Sequence, residues 1–188
     1  MDDDDDLYED EDLEFLTLTS WRREGLFSNI NSIISALDKT KANTSEIKGV
    51  FRDHSPNDSE FFASGERGKR EFLFDVVWAR SKGDIFRDVL LICEIELARK
   101  KDEIMKDFNK LLIGKAPLKF FVFSAPGYES HHKTTLKSGE ILYELVEHIK
   151  RFRNTEPGEC YILYDIGQHV SCIECVSDHR NQSDHLID

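Results

Sequence analysis

Residues 88–101 read DVLLICEIELARKK, an apolar run that carries two glutamates near its end. An uninterrupted run of branched and aliphatic residues is typical of a strand that is covered on both faces. Because side chains alternate along a strand, Glu94 and Glu96 point to the same face. A buried carboxylate without a partner costs on the order of several kcal/mol. The sequence therefore predicts a core strand that presents two acids to some positively charged group.

The segment before this run reads REFLFDVVWAR (residues 70–80) and is rich in aromatic and β-branched residues. The turn SKGD separates the two segments, so we expect them to pair as a hairpin. Asp75 interrupts the first segment in phase with Leu73 and Val77. If the strands pair, three carboxylates converge, and their mutual repulsion favours a bound cation. Oxygen ligands suit Mg²⁺, with Mn²⁺ as the alternative.

Two interpretations of these acids need no metal. In the first, the carboxylates pair with nearby basic residues such as Arg70, Arg80 or Lys101. In the second, they lie on a half-solvated face of the sheet. Both stay open at this point, although neither explains readily why two acids two residues apart end the most apolar run in the chain.

Helical and strand patterns alternate along the rest of the chain, and their order favours an α/β fold with a mixed sheet flanked by helices. The predicted helices run from Ser20 to about Leu37, from Lys101 to a stop at Gly114, and through SGEILYELVEHIKRFR, with Ser138 as its N-cap. The predicted strands lie near EIKGVF, near EFFAS, at LKFFVFSA, and in a closing hairpin, CYILYDIGQHVSCIECV, that turns at Gly167.

The acids and their order resemble the PD-(D/E)XK nuclease superfamily, whose fold is called restriction-endonuclease-like. Its signature is an Asp at the end of one strand, then an acid, any residue and a Lys on the next strand. Asp75 and Glu94 match the two acids, Glu96 stands where Lys is usual, and Phe74 replaces the Pro. The element order from Ser20 to Ala125 is similar to the family core, which leaves the last helix and hairpin as an elaboration.

This resemblance implies a divalent-metal-dependent endonuclease that hydrolyses phosphodiester bonds, with DNA expected before RNA. Asp75 and Glu94 would be metal ligands. Glu96 would be a ligand or would position the attacking water, because some restriction endonucleases carry Glu at this place. Glu24, on the first helix, is an additional candidate ligand, since a helical glutamate often joins the metal site in this family.

A lysine on the helix after the strand is the expected substitute for the missing motif lysine. Helical phase places Lys101 near the apolar stripe of that helix, while Lys106 and Lys110 point away from it. We therefore predict Lys101 as the catalytic cation. A catalytically silent domain of the same fold, acting as a protein-interaction or regulatory module, is the alternative, because the motif lysine is absent. A small structural protein with salt-bridged acids is the third.

The net charge of −12 is concentrated at the N-terminus, where ten of the 37 acidic residues precede Phe15. A block of like charges repels itself, so residues 1–14 are predicted to be a disordered acidic tail. The tail would serve solubility, or would bind a basic groove of the body or a protein partner. Residues 15–178 are predicted to form a single domain and residues 179–188 a polar C-terminal tail.

The loop GERGKR offers Arg67, Lys69 and Arg70 for contacts with a nucleic-acid backbone. A homodimer is an open alternative, because nucleases that cut both strands often pair. No stretch approaches the length of a membrane span, and the N-terminus lacks the pattern of a secretory signal, so we expect a cytoplasmic protein without a membrane partner.

The four cysteines are accordingly expected to be reduced thiols. Two of them, Cys172 and Cys175, lie between His169 and His179 and suggest a zinc site as a lesser alternative. Against that alternative, cysteines three apart on a strand point to opposite faces.

Overall fold

The structure is a computed structural model that describes residues 26–65, 73–82, 85–125 and 134–176, with side chains from Asn29 in the first helix and from Ser138 in the last. Several predictions fall outside these ranges. They concern the acidic tail 1–14, Glu24, the basic loop with Arg67, Lys69 and Arg70, His179, and the C-terminal tail 179–188.

The described residues form four helices and six strands. The helices are α1 (Leu26–Leu37), α2 (Thr44–Asp53), α3 (Lys101–Ile113) and α4 (Thr134–Arg151). The strands are β1 (Glu60–Ala63), β2 (Val76–Lys82), β3 (Ile85–Glu96), β4 (Leu118–Phe123), β5 (Cys160–Asp165) and β6 (Val170–Cys175). Among the helices described here, none combines the length and the apolar character needed to cross a bilayer.

All six strands join one mixed sheet in chain order, β1-β2-β3-β4-β5-β6. The first three strands pair antiparallel, β3, β4 and β5 pair parallel, and β6 returns antiparallel to β5. Parallel neighbours need a crossover connection, and α3 and α4 supply the two that this sheet requires. The predicted α/β class, the mixed sheet and both predicted hairpins are confirmed.

Helices cover both faces of the sheet, so the central strands have no solvent-exposed face. The helices α1 and α2 pack on one face and α3 and α4 on the other, and each face has its own apolar cluster. Every residue of β4 and β5 is buried, as is the run Leu90–Ile95 in β3. Continuous apolar sequence is what a strand between two helical layers requires.

Two predicted boundaries are wrong. The segment EIKGVF lies inside α2 rather than in a strand, because Asn43 caps that helix through the N–H groups of Ser45 and Glu46. Its buried residues, Ile47 and Phe51, are four apart, which is the spacing of one helical face. The last helix begins at Thr134, so Ser138 lies within it and is not its N-cap.

The expectation of four reduced thiols is wrong for one pair. Cys160 and Cys175 are register partners on β5 and β6, with Cα atoms 4.3 Å apart, and a disulfide joins them. Cys93 and Cys172 are free thiols. Since Cys175 is already bonded, it is not available as a zinc ligand.

A buried ion pair joins the starting ends of β4 and β5. The ammonium of Lys119 lies 2.9 Å from Glu159 Oε1 and donates to the Tyr161 hydroxyl at 2.9 Å. That hydroxyl donates in turn to Glu159 Oε2 at 2.9 Å. All three residues are buried, and burial lowers the pKa of Lys119. The network satisfies both charges where water is excluded.

Replacing Lys119 with Met should lower the free energy of unfolding by about 3 kcal/mol, because it leaves the Glu159 carboxylate buried without its counter-charge. The matched control is Lys115→Met, which breaks the exposed pair with Glu156 and should cost less than about 1 kcal/mol. Urea unfolding of both variants measures the difference. Equal losses would show that burial does not distinguish the two ion pairs.

Candidate active site

The β2–β3 hairpin brings Asp75 to Glu94. Val76 and Cys93 are antiparallel register partners, so Asp75, one residue before β2, lies beside Glu94 near the end of β3. The backbone N–H of Ile95 donates to Asp75 Oδ2 at 3.0 Å, which fixes this carboxylate against the neighbouring strand. The hairpin therefore places Asp75 and Glu94 opposite one another in the register at this end of the sheet.

Two side chains hold the other oxygen of Asp75. The hydroxyl of Ser64 donates to Oδ1 at 2.8 Å, and the ammonium of Lys48, from α2, lies 3.2 Å from the same oxygen. Lys48 also donates to the Ser64 hydroxyl at 2.7 Å and to the Ser64 carbonyl at 3.1 Å. Both oxygens of Asp75 are thus hydrogen-bonded.

Glu94 is the buried acid of the site, with only 2% of its surface exposed. Its Oε2 lies 3.7 Å from the ammonium of Lys110, and its Oε1 has no hydrogen-bond partner among the described residues. Burial raises the pKa of Glu94 to about 8. The positive charge of Lys110 lowers this pKa, whereas the negative charges of Asp75 and Asp107 raise it. One buried carboxyl oxygen is therefore open to a proton, a water or a cation.

Glu96 and Asp107 form a second carboxyl pair next to Glu94. Glu96 Oε1 accepts the backbone N–H of Ala98 at 2.6 Å. Burial raises the pKa of Glu96, and a hydrogen bond with the Asp107 side chain raises it further.

The cation beside Glu94 is Lys110 and not Lys101. The ammonium of Lys110 lies 2.6 Å from Asp107 Oδ1 and bridges that carboxylate to Glu94. Lys101 instead pairs with Glu144 of α4 at 2.7 Å, so the structure does not bring it to the acids. The phase argument was wrong about Lys110 because phase fixes the direction of Cβ, whereas a four-carbon side chain can fold back.

The predicted triad of Asp75, Glu94 and Glu96 is not assembled as a metal cluster. Within the described ranges, no three His, Cys, Asp or Glu side chains are grouped closely enough to hold one metal ion. Mg²⁺, however, is usually bound by one or two carboxylates, with water and substrate phosphate completing its shell. Two carboxylates of this kind are available here, because Asp75 faces Glu94 in the register and Glu94 Oε1 has no partner among the described residues.

Lys48, Ser64, Asp107 and Lys110 belong to the site and were missed or misplaced by the sequence reasoning. A capping signal could have revealed the helix that carries Lys48, because Asn43 is followed three residues later by Glu46. For Asp107, its place one turn before Lys110 on α3 was the available signal. Ser64 carries no such signal, since only the folded hairpin brings it to Asp75.

Glu94→Gln should flatten the pH dependence of stability. The folded-state pKa of about 8 lies above the ordinary value of 4.5, so the folded protein keeps a proton that the unfolded chain releases. The resulting stabilisation is complete below pH 4.5 and is lost as the pH rises to about 8. At roughly 1.4 kcal/mol per pKa unit, its upper limit is a few kcal/mol.

Urea unfolding of wild type and Glu94→Gln across this pH range checks the prediction. The two proteins should be similarly stable at pH 4.5, and the variant should become the more stable one toward pH 8. Glu140→Gln, on the exposed side of α4, is the control. Parallel curves for wild type and Glu94→Gln would contradict the prediction.

A scan against protein-family models and searches of curated proteins and solved structures found no match. The resemblance to the PD-(D/E)XK superfamily therefore stays a prediction from the sequence, based on Asp75, Glu94 and the order of the elements around them. The function must be argued from the site itself.

Proposed function

We propose that this chain is a divalent-metal-dependent nuclease of the restriction-endonuclease-like fold, which hydrolyses phosphodiester bonds in DNA. The observation that carries the proposal is the buried carboxyl group of Glu94, whose Oε1 has no partner among the described residues and which faces Asp75 in the strand register. A fold rarely leaves a buried carboxyl oxygen without a donor unless a ligand or water completes it. Perturbed acids of this kind are enriched at functional sites.

The topology supports the proposed family. A helical layer, an antiparallel run of β1, β2 and β3, the crossover helix α3 and the parallel strand β4 follow one another as in the family core. Asp75 and Glu94 lie at the adjoining ends of the second and third strands. The helix α4 with β5 and β6 would be the elaboration.

In this mechanism Asp75 and Glu94 would hold the cation, which supplies Lewis-acid activation of the phosphoryl group and of a bound water. Lys110 replaces the motif lysine by offering an ammonium group next to Glu94. Asp107 anchors that ammonium at 2.6 Å, which limits the orientations it can adopt. A positioned ammonium stabilises the negative charge that develops on the phosphoryl oxygens.

Glu96 would act on the attacking water in place of the lysine that is usual there. A carboxylate can accept a proton from water, and a raised pKa brings it closer to the range of a working general base. Its hydrogen bonds to the Ala98 N–H and to Asp107 hold it at the end of β3. Water activation and charge stabilisation would then come from two different residues.

The alternative is a catalytically silent domain of the same fold that serves as an interaction or regulatory module. One observation favours it: each of the two acids already faces an ammonium group, Lys48 for Asp75 and Lys110 for Glu94. A site without catalytic activity could keep its acids because these ion pairs stabilise the fold. Such a domain would bind no Mg²⁺ or Mn²⁺ at the acids.

Cleavage of single- and double-stranded DNA oligonucleotides with Mg²⁺ or Mn²⁺ tests the proposal. Asp75→Asn, Glu94→Gln and Lys110→Met should each reduce the cleavage rate by about 100-fold or more. Glu156→Gln, in the exposed pair with Lys115, is the matched control and should cleave like wild type. Cleavage that persists in both Asp75→Asn and Glu94→Gln would rule out this site as the catalytic centre.

Titration calorimetry with Mn²⁺ separates the two functions. An active nuclease should bind Mn²⁺ in wild type and in Glu156→Gln but lose that binding in Glu94→Gln. A silent domain should give no binding in any of them. Binding that is equal in wild type and Glu94→Gln would place the metal elsewhere and contradict the proposed site.

A further inference from the structure

Lys48 is held in the site by several polar contacts and is mostly buried. Its ammonium has three acceptors, Asp75 Oδ1 at 3.2 Å, the Ser64 hydroxyl at 2.7 Å and the Ser64 carbonyl at 3.1 Å. Only 14% of its side chain is exposed, against 22% for Asp75. An ammonium group donates three hydrogen bonds, so this one is fully engaged.

The two oxygens of Asp75 differ in how easily they can be released. Oδ2 accepts the backbone N–H of Ile95, which belongs to the sheet and cannot rotate away. Oδ1 is held only by the side chains of Ser64 and Lys48, which can change rotamer. A ligand of Asp75 would therefore enter at Oδ1, which is the oxygen that Lys48 occupies.

We propose that Lys48 competes with the divalent cation for Asp75, and that its displaced ammonium then binds the phosphodiester group of the substrate. This inference rests on the proposed nuclease function and adds a regulatory and substrate-binding role for a residue outside the family signature. Like charges repel, so Asp75 cannot keep Lys48 at 3.2 Å and hold a divalent cation at the same oxygen.

The displaced ammonium needs a new anion, because the open Oε1 of Glu94 would bind the same cation. Glu94 and Asp107 already face Lys110, and Glu96 is hydrogen-bonded to Ala98 and Asp107. A phosphodiester bound beside the cation would supply that anion, because ammonium groups are common phosphate partners. Cation and phosphodiester should consequently strengthen each other's binding, as linkage requires for two ligands that favour the same state.

The test is titration calorimetry of Mn²⁺ into the full chain, with and without saturating dimethyl phosphate, a phosphodiester monoanion. Lys48→Met should raise the Mn²⁺ affinity about tenfold in the absence of dimethyl phosphate, because the competitor is gone. In wild type, dimethyl phosphate should raise the Mn²⁺ affinity about fivefold, and Lys48→Met should lose this enhancement. Lys115→Met, an exposed lysine outside the site, should behave like wild type in both titrations.

Lys48→Gln provides a second variant if Lys48→Met does not fold, because its amide can still donate to Ser64 while it lacks the charge. Equal Mn²⁺ affinities in wild type and both variants would overturn the role of Lys48 and leave the nuclease proposal standing. Mn²⁺ binding only after Lys48 is replaced would support the competition and count against an active wild-type nuclease. The absence of binding in every protein would overturn both proposals.

Discussion

The structure depends on one constraint, which is that the third strand ends in acids but runs between two helical layers. Glu94 is almost fully buried, because α1 and α2 cover one face of the sheet and α3 and α4 cover the other. Nearby protein groups must therefore compensate the charge of this carboxyl group when it is ionised. Lys110 comes from α3, while Lys48 from α2 answers the neighbouring Asp75. Side chains of α2 and α3 thus meet the acids at the adjoining ends of β2 and β3.

Strand geometry made much of this site predictable from sequence. Side chains alternate along a regular strand, so the common face of Glu94 and Glu96 follows from their spacing. The hairpin that brings Asp75 to Glu94 follows from two adjacent strand patterns and a short turn. For the same reason the alternation of helix and strand patterns sufficed for the α/β class and the mixed sheet.

The cations were not predictable in the same way, because a lysine reaches its partner through four rotatable carbons. Helical phase indicated Lys101, yet α4 packs alongside α3 and supplies Glu144 as its partner. Helical phase places Lys110 away from the apolar stripe, yet its ammonium group contacts Asp107 and reaches Glu94. Which acid a flexible lysine finds depends on the packing of elements distant in sequence, and no local pattern records that packing.

One missed feature was available in the pattern itself. The predicted turn at Gly167 lies midway between Cys160 and Cys175, so the hairpin places these residues opposite one another. The expectation of reduced thiols came from the apparent compartment and was never checked against the register. Register is the stronger argument, because it fixes which side chains are neighbours before any chemistry is considered.

Charge balance bears on why an acid stands at position 96. The site unites four carboxyl groups, those of Asp75, Glu94, Glu96 and Asp107, with the ammonium groups of Lys48 and Lys110. The acidic side chains outnumber the ammonium groups by two. A lysine at 96 would cancel that excess, since two helices already supply the ammonium groups. In the proposed nuclease, the ammonium groups would therefore come from α2 and α3 and not from position 96.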